Sequence, residues 1–203
     1  ILMPDSLESR VILISETGSK MVYSDMLRMY GDGSPPTIIV PREHLNPADL
    51  HSALLNWGRI TYPTMIWGMN FFMKEIGGYD PRLRHAEDWD IAIRTADKLA
   101  KTGSKSKVSR SITVVNNVHK NSLGPENFRN GTALRSYKMI LAKHFQGVSF
   151  YRQLFKAHLR VYRNLHSHTP IISSSQQIPD YANEFLDTVG SIDYAKALLI
   201  KSS

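Results

Sequence analysis

The sequence predicts an α/β fold. Apolar residues recur at helical spacing over Leu7–Ile14 and over Trp89–Ala100, β-branched runs fill Thr37–Val40 and Ser111–Val115, and glycine and proline turns separate them. With 203 residues, 42% of them hydrophobic, the chain can form one globular domain with a real core, or one domain plus a small appendage. It is too hydrophobic to be disordered throughout, and no apolar run approaches the roughly 20 residues of a membrane span. It contains no cysteine, so disulfides, cysteine-ligated zinc and thiolate nucleophiles drop out. That suits a reducing compartment, and the expected location is cytoplasmic. The chain opens Ile1-Leu2-Met3-Pro4, without an initiator Met or a charged leader, and reads as the middle of a larger protein.

The elements follow in order. Asp5–Ser15 is an amphipathic helix, capped by Asp5 or Ser6, with Leu7, Val11, Ile12 and Ile14 on one face and Gly18 at its end. Met21–Asp25 is a short strand, Gly31–Pro36 a turn, and Thr37–Val40 a strand that can pair back on it. Pro47 at the first helical position, after Asn46 as cap, opens a helix to about Asn56. Tyr62–Asn70 reads as buried and extended, with Asn70 capping a short helix, Phe71–Ile76, which Gly77-Gly78 ends. A helix starts at Glu87 and runs to about Ala100, Gly103–Lys107 is a basic connector, and Ser111–Val115 is a strand. Asn116–Pro125 is a polar loop before two long helices at about 127–145 and 149–166. His168–Pro179 is a Ser- and Gln-rich linker, and short helices close the chain at about 180–188 and 191–201.

Charge is divided unevenly. Residues 1–100 hold ten Lys and Arg against thirteen Asp and Glu, net −3, whereas residues 101–203 hold fifteen against five, net +10. An anionic partner is therefore expected in the second half. The helix at 149–166 places Arg152, Lys156, Arg160 and Arg163 along one face beside Tyr151, Leu154, Phe155, Leu159 and Tyr162. This suits peripheral contact with an anionic membrane, or a phosphate backbone, or simply a basic helix face in water. His158, His166 and His168 lack carboxylate or Cys neighbours and read as surface residues.

The strongest local signal is Glu87-Asp88-Trp89-Asp90. Carboxylates at a helix start meet backbone N–H groups and the positive end of the macrodipole, which suits a general base that must stay ionised. Acidic residues in a first turn also serve helix stability alone. Trp57, Trp67 and Tyr62 can line a sugar site or fill core.

The order buried strand (Met65–Met69), short helix, Gly77-Gly78-Tyr79-Asp80, loop, Glu87-Asp88-Trp89-Asp90 resembles the second half of the family 2 glycosyltransferases of the GT-A fold. There a "GG-aromatic-D" turn precedes an "ED-aromatic-D" helix start. Leu2-Met3-Pro4-Asp5-Ser6-Leu7-Glu8 looks like the segment after the donor-binding Asp-x-Asp, and Val22-Tyr23-Ser24-Asp25 like the next strand. The resemblance covers roughly residues 1–145. It implies a partial GT-A (nucleotide-diphospho-sugar transferase) fold at 1–146 and a helical extension at 147–203. It also implies inverting, metal-dependent hexosyl transfer, as in polysaccharide biosynthesis, from a nucleotide-sugar to a glycan or lipid-linked hydroxyl.

Carried onto this sequence, the resemblance makes Asp88 the catalytic base and Glu87 its orienting or acceptor-binding neighbour. His119, Lys120, Ser122, Trp67 and Trp89 fall around the donor diphosphate and acceptor, with Trp89 and Asp90 also suited to anchoring the helix. His119 would meet the divalent ion, Mn²⁺ or Mg²⁺, and Lys120 the leaving-group charge; a surface His beside a solvated Lys is the plainer reading. The Asp-x-Asp itself would fall immediately before Ile1. The competing class is a non-catalytic basic module for anionic lipid or nucleic acid; the transferase reading expects no nucleic-acid partner.

Overall fold

A computed structural model of the chain describes residues 1–41, 46–56, 60–118 and 123–167, with the side chains of 123–125 and 162–167 left aside. The chain divides into two compact units, Ile1–Ser122 and Leu123–Ser203. The expected linker at 168–179 and the closing helices lie outside the described residues.

The first unit is built on a mixed four-stranded sheet centred on β1 (Met21–Tyr30). On one side β1 runs parallel to β4 (Ser106–Val118), from Met21 opposite Ser106 to Tyr30 opposite Val118. On the other it pairs antiparallel with β2 (Thr37–Ile39) through Met26–Arg28 and with β3 (Ile66–Trp67) through Met21–Val22. The opening residues join the sheet too: Ile1 accepts from the Val115 N–H at 2.8 Å, and the Met3 N–H donates to Thr113 at 2.9 Å.

The unit has three α-helices: α1 (Ser6–Thr17), which packs on β1 and β4, and α2 (Pro47–Leu55) and α3 (Glu87–Thr102), which pack on each other. In α2 the Asn46 side chain accepts the Asp49 N–H at 2.9 Å, and Pro47 holds the first position, as expected. Along α3, Trp89, Ile91, Ala92, Ile93, Ala96 and Leu99 are all buried. Each large apolar side chain contributes roughly 1.5–3 kcal/mol on burial, against about 1 kcal/mol for an N-cap. The cap position of α3 is Ala86, which offers no side-chain acceptor, so packing holds this helix in place.

Several elements differ from the sequence expectation. Both strands are longer than expected: β1 continues past Asp25, and β4 takes in Ser106 and Lys107 of the expected connector. Each long strand is the ladder partner of the other, which recruits residues of low strand propensity. The register skips between Ser24 and Met26, where Arg110 reaches out to Asp25 (3.5 Å) and the Pro41 carbonyl (3.0 Å). Tyr62–Asn70 is not extended throughout: Tyr62–Thr64 is a 3₁₀ turn, only Ile66–Trp67 pairs as strand, and Met69 is 74% exposed. Buried hydroxyls explain the turn. Thr64 accepts the Ser24 N–H at 2.8 Å, Thr61 donates to the Ser24 carbonyl, and Ser24 pairs with Thr113.

Helix α1 is the clearest inversion. Its left-handed Asp5 makes no cap bond, and its buried residues are Ser6 and Arg10, while Leu7, Val11 and Ile12 stay about half exposed. Arg10 donates to the carbonyls of Ser6 (2.7 Å) and Thr64, tying α1 to the 3₁₀ turn, and burial pulls its pKa below the ordinary value.

The second unit contains α4 (Leu123–Arg129), α5 (Thr132–His144) and α6 (Gly147–Ser167). The expected single helix at 127–145 is broken at Asn130-Gly131. Gly131 adopts φ 74°, which few other residues tolerate, and Asn130 accepts the Thr132 N–H at 3.0 Å. Leu134, Tyr137, Ile140 and Leu141 of α5 and Leu154, Ala157 and Val161 of α6 are buried. His158 is also buried, at 2% exposed, and is not the surface residue expected.

Candidate functional site

The acidic cluster and the Gly-Gly turn come together through one arginine. Asp90, fully buried, pairs with Arg94 one turn along α3 at 2.9 Å. The same guanidinium donates to the carbonyls of Ile76 (2.6 Å) and Gly78 (2.7 Å). Those carbonyls flank the end of Phe71–Ile76, which is wound as a π-helix, and Gly77 and Gly78 take φ 82° and 68° to leave it. Arg94 thus fixes the turn carrying Tyr79 against the head of α3. Sequence reasoning did not single out Arg94; its position four residues after Asp90 was the available signal.

At the head of α3, Glu87 is exposed and Asp88 half-buried. Asp88 accepts the Trp89 N–H at 2.7 Å, which orients its carboxylate on the helix start. Ala86, just before, sits at φ 57°, a strained left-handed position for a residue with a β-carbon. Trp89 is 4% exposed and gives its indole N–H to the Leu54 carbonyl at 2.9 Å, so the ring anchors α3 to α2 and offers no face to a ligand. Of the two roles open to Trp89 and Asp90, both residues take the anchoring one.

Tyr79 feels the charge of the carboxylates and ends a line of rings. Its hydroxyl is held above its usual pKa, first by burial and then by the negative charges of Asp88 and Glu87. Its ring meets Phe72 edge-on at 5.6 Å, and Phe72 meets Trp67 at 5.1 Å. Trp67 and Phe72 in turn line an apolar groove of about 400 Å³ with Leu7, Val11, Ile14, Met65 and Met69. The outward apolar stripe of α1 is one wall of this groove. The Trp67 indole nitrogen is buried with no hydrogen-bond partner among the described residues. Trp67, Phe72 and Tyr79 therefore form one line of rings, and the charges of Asp88 and Glu87 are felt at its Tyr79 end. Phe72 was not singled out in the sequence, and Tyr79 was named only as part of the Gly-Gly turn motif.

His119, Lys120 and Ser122 lie outside the described residues, as does Trp57. Among the described residues no three His, Cys, Asp or Glu side chains gather to hold a metal ion. The described donor set does not by itself fit a divalent cation. No helix among them is long and apolar enough to cross a membrane.

Comparison of the chain with family models, with curated proteins and with solved structures gives no match. The plain structural description is a mixed α/β chain with a four-stranded mixed sheet.

Proposed function

We propose that the chain is the acceptor-side part of an inverting glycosyltransferase with a GT-A fold, which moves a sugar from a nucleotide-sugar to a hydroxyl of a glycan or lipid-linked acceptor. The observation that carries this reading is the Trp67–Phe72–Tyr79 ring series, whose Tyr79 end feels the negative charges of Asp88 and Glu87. Aromatic faces suit the apolar faces of sugar rings, and a carboxylate beside them suits removal of a hydroxyl proton. The resemblance of the Gly77–Asp80 and Glu87–Asp90 motifs supports the same reaction.

In this reading Asp88 takes the proton from the acceptor hydroxyl. The acceptor oxygen bonds to the anomeric carbon as the bond from that carbon to the diphosphate oxygen breaks, inverting its configuration. The nucleoside diphosphate leaves with the bonding electrons. Glu87 orients the acceptor, Tyr79 and Trp67 line its path, and Lys120 meets the leaving-group charge. The divalent cation stands on the resemblance alone, and none of these steps is routed through it.

The test uses the full-length gene product with a panel of nucleotide-sugars and hydroxyl acceptors. Asp88→Asn is expected to lower transfer about 10²- to 10⁴-fold, the range of a lost general base, with donor affinity unchanged. Undiminished turnover in that variant would remove Asp88 from the role, and no transfer by the native protein from any donor would end the transferase reading.

A further inference from the structure

Helix α6 presents two properties to solvent at once. Its buried face is Gln153, Leu154, Ala157, His158 and Val161. The opposite side carries Val148, Tyr151, Arg152, Phe155, Lys156 and Leu159, at spacings i, i+3, i+4, i+7, i+8 and i+11, one face of a 3.6-residue helix. Val148 is 65% exposed, and Tyr151 and Leu159 are each more than a third exposed. A ridge of four apolar side chains therefore faces away from the core, flanked by Arg152 and Lys156.

The surrounding charge is of one sign. From Asn127 to Pro179 the sequence has no Asp or Glu, against eight Lys and Arg. Arg129 is paired with Glu126 at 3.3 Å, and Arg160 lies 6.0 Å from the Tyr137 ring centre. Arg152 and Lys156 have no carboxylate partner among the described residues, and Lys156 is held below its ordinary pKa by burial and by Arg152. Two adjacent cations beside exposed aliphatic side chains match a surface with negative headgroups above hydrocarbon. A nucleic-acid backbone would satisfy Arg152 and Lys156 but leave Val148 and Leu159 in water.

We propose that the outward face of α6 docks on an anionic lipid bilayer, with Val148, Tyr151, Phe155 and Leu159 entering the headgroup–acyl boundary and Arg152 and Lys156 meeting lipid phosphates. The inference is independent of the transferase reading. It predicts that the full chain co-floats with vesicles of phosphatidylcholine containing 30% phosphatidylserine and not with phosphatidylcholine alone, and that 0.5 M NaCl weakens binding. Arg152→Glu with Lys156→Glu should weaken binding at least tenfold. Val148→Ser with Leu159→Ser, which leaves charge unchanged, should weaken it severalfold. Lys74→Glu with Lys101→Glu, the same charge change in the other unit, should have little effect. These positions are exposed or half-buried, and circular dichroism checks that each variant stays folded.

Equal binding to both vesicle types overturns the proposal, as does absence of binding to either. So does binding that ignores the Val148 and Leu159 substitutions. A duplex or single-stranded oligonucleotide bound at the same ionic strength in preference to anionic vesicles would assign the face to nucleic acid instead.

Discussion

Identical residue types do different work at neighbouring positions. Trp89 is sealed into the α2–α3 contact by its bond to Leu54, while Trp67 remains half-buried on the groove wall. Tyr79 is the residue that reports on the carboxylates, because their charge opposes formation of its phenolate. In the chain with carbon-13-labelled tyrosine, its NMR titration is expected to lie above 10. Asp88→Asn should bring it part of the way back and Glu87→Gln by less, while burial, the largest cause, persists in both. The linkage sign follows. Between the ordinary tyrosine pKa of 10.0 and the raised folded value the unfolded chain loses this proton first. Tyr79 therefore lowers stability as pH rises through that window, and Tyr79→Phe removes the effect. A Tyr79 titration indifferent to Asp88→Asn would separate the ring from the proposed base.

At the scale of elements, the site depends on how a turn is fastened to a helix. Arg94 serves Asp90 and two carbonyls of the Gly-Gly turn at once, a geometry that a planar fork can meet and a lysine ammonium cannot. Arg94→Met should destabilise the protein by about 3 kcal/mol, since it leaves the buried Asp90 charge uncompensated. Arg94→Lys should cost about 1–2 kcal/mol, roughly the worth of the hydrogen bonds to the turn that it gives up. Beyond stability, Arg94→Lys should move the Tyr79 titration toward its ordinary value as the turn loosens from α3. A variant that melts early with an unmoved Tyr79 would reduce Arg94 to a purely structural tie. The order of elements from α1 to α3 was legible because caps, glycines and apolar spacing are local: Asn46 and Pro47, Gly18, Gly77-Gly78 and the buried stripe of α3 all act where the sequence places them. The lengths of β1 and β4 were not legible, because each is set by a partner some ninety residues away. Nor was the inversion of α1, where a buried arginine finds carbonyl acceptors on a distant turn and the apolar side faces a groove. For the site, the carboxylates and Trp67 could be read from the sequence, while the ring series from Trp67 through Phe72 to Tyr79 required the fold.

Across the whole molecule the dominant asymmetry is electrostatic. In the first unit several cations are matched locally: Arg94 with Asp90, Lys98 with Glu75, Lys101 with Asp97 and Arg110 with Asp25. The second unit sets Arg152, Lys156 and Arg160 at successive i,i+4 positions of α6, where like charges destabilise a helix by about 0.2–0.5 kcal/mol per pair. Two such pairs amount to as much as about 1 kcal/mol, roughly fivefold in a local opening equilibrium. The two units should therefore respond differently to salt. Raising ionic strength from 0.01 to 0.15 M shortens the screening length from about 30 to about 8 Å, relieving the repulsion in α6 while slightly weakening the pairs of the first unit. Amide exchange should slow up to about fivefold across Leu154–Val161 and stay level or quicken across Ile91–Leu99. Alkaline pH should act in the same direction through Lys156. Its folded pKa lies below the ordinary 10.5, so the unfolded chain binds more protons as pH rises between the two values. Stability gains over that window, and Lys156→Gln abolishes the gain. If salt and pH moved both units alike, self-repulsion would not be what distinguishes them, and the cations of α6 would already be compensated within the chain.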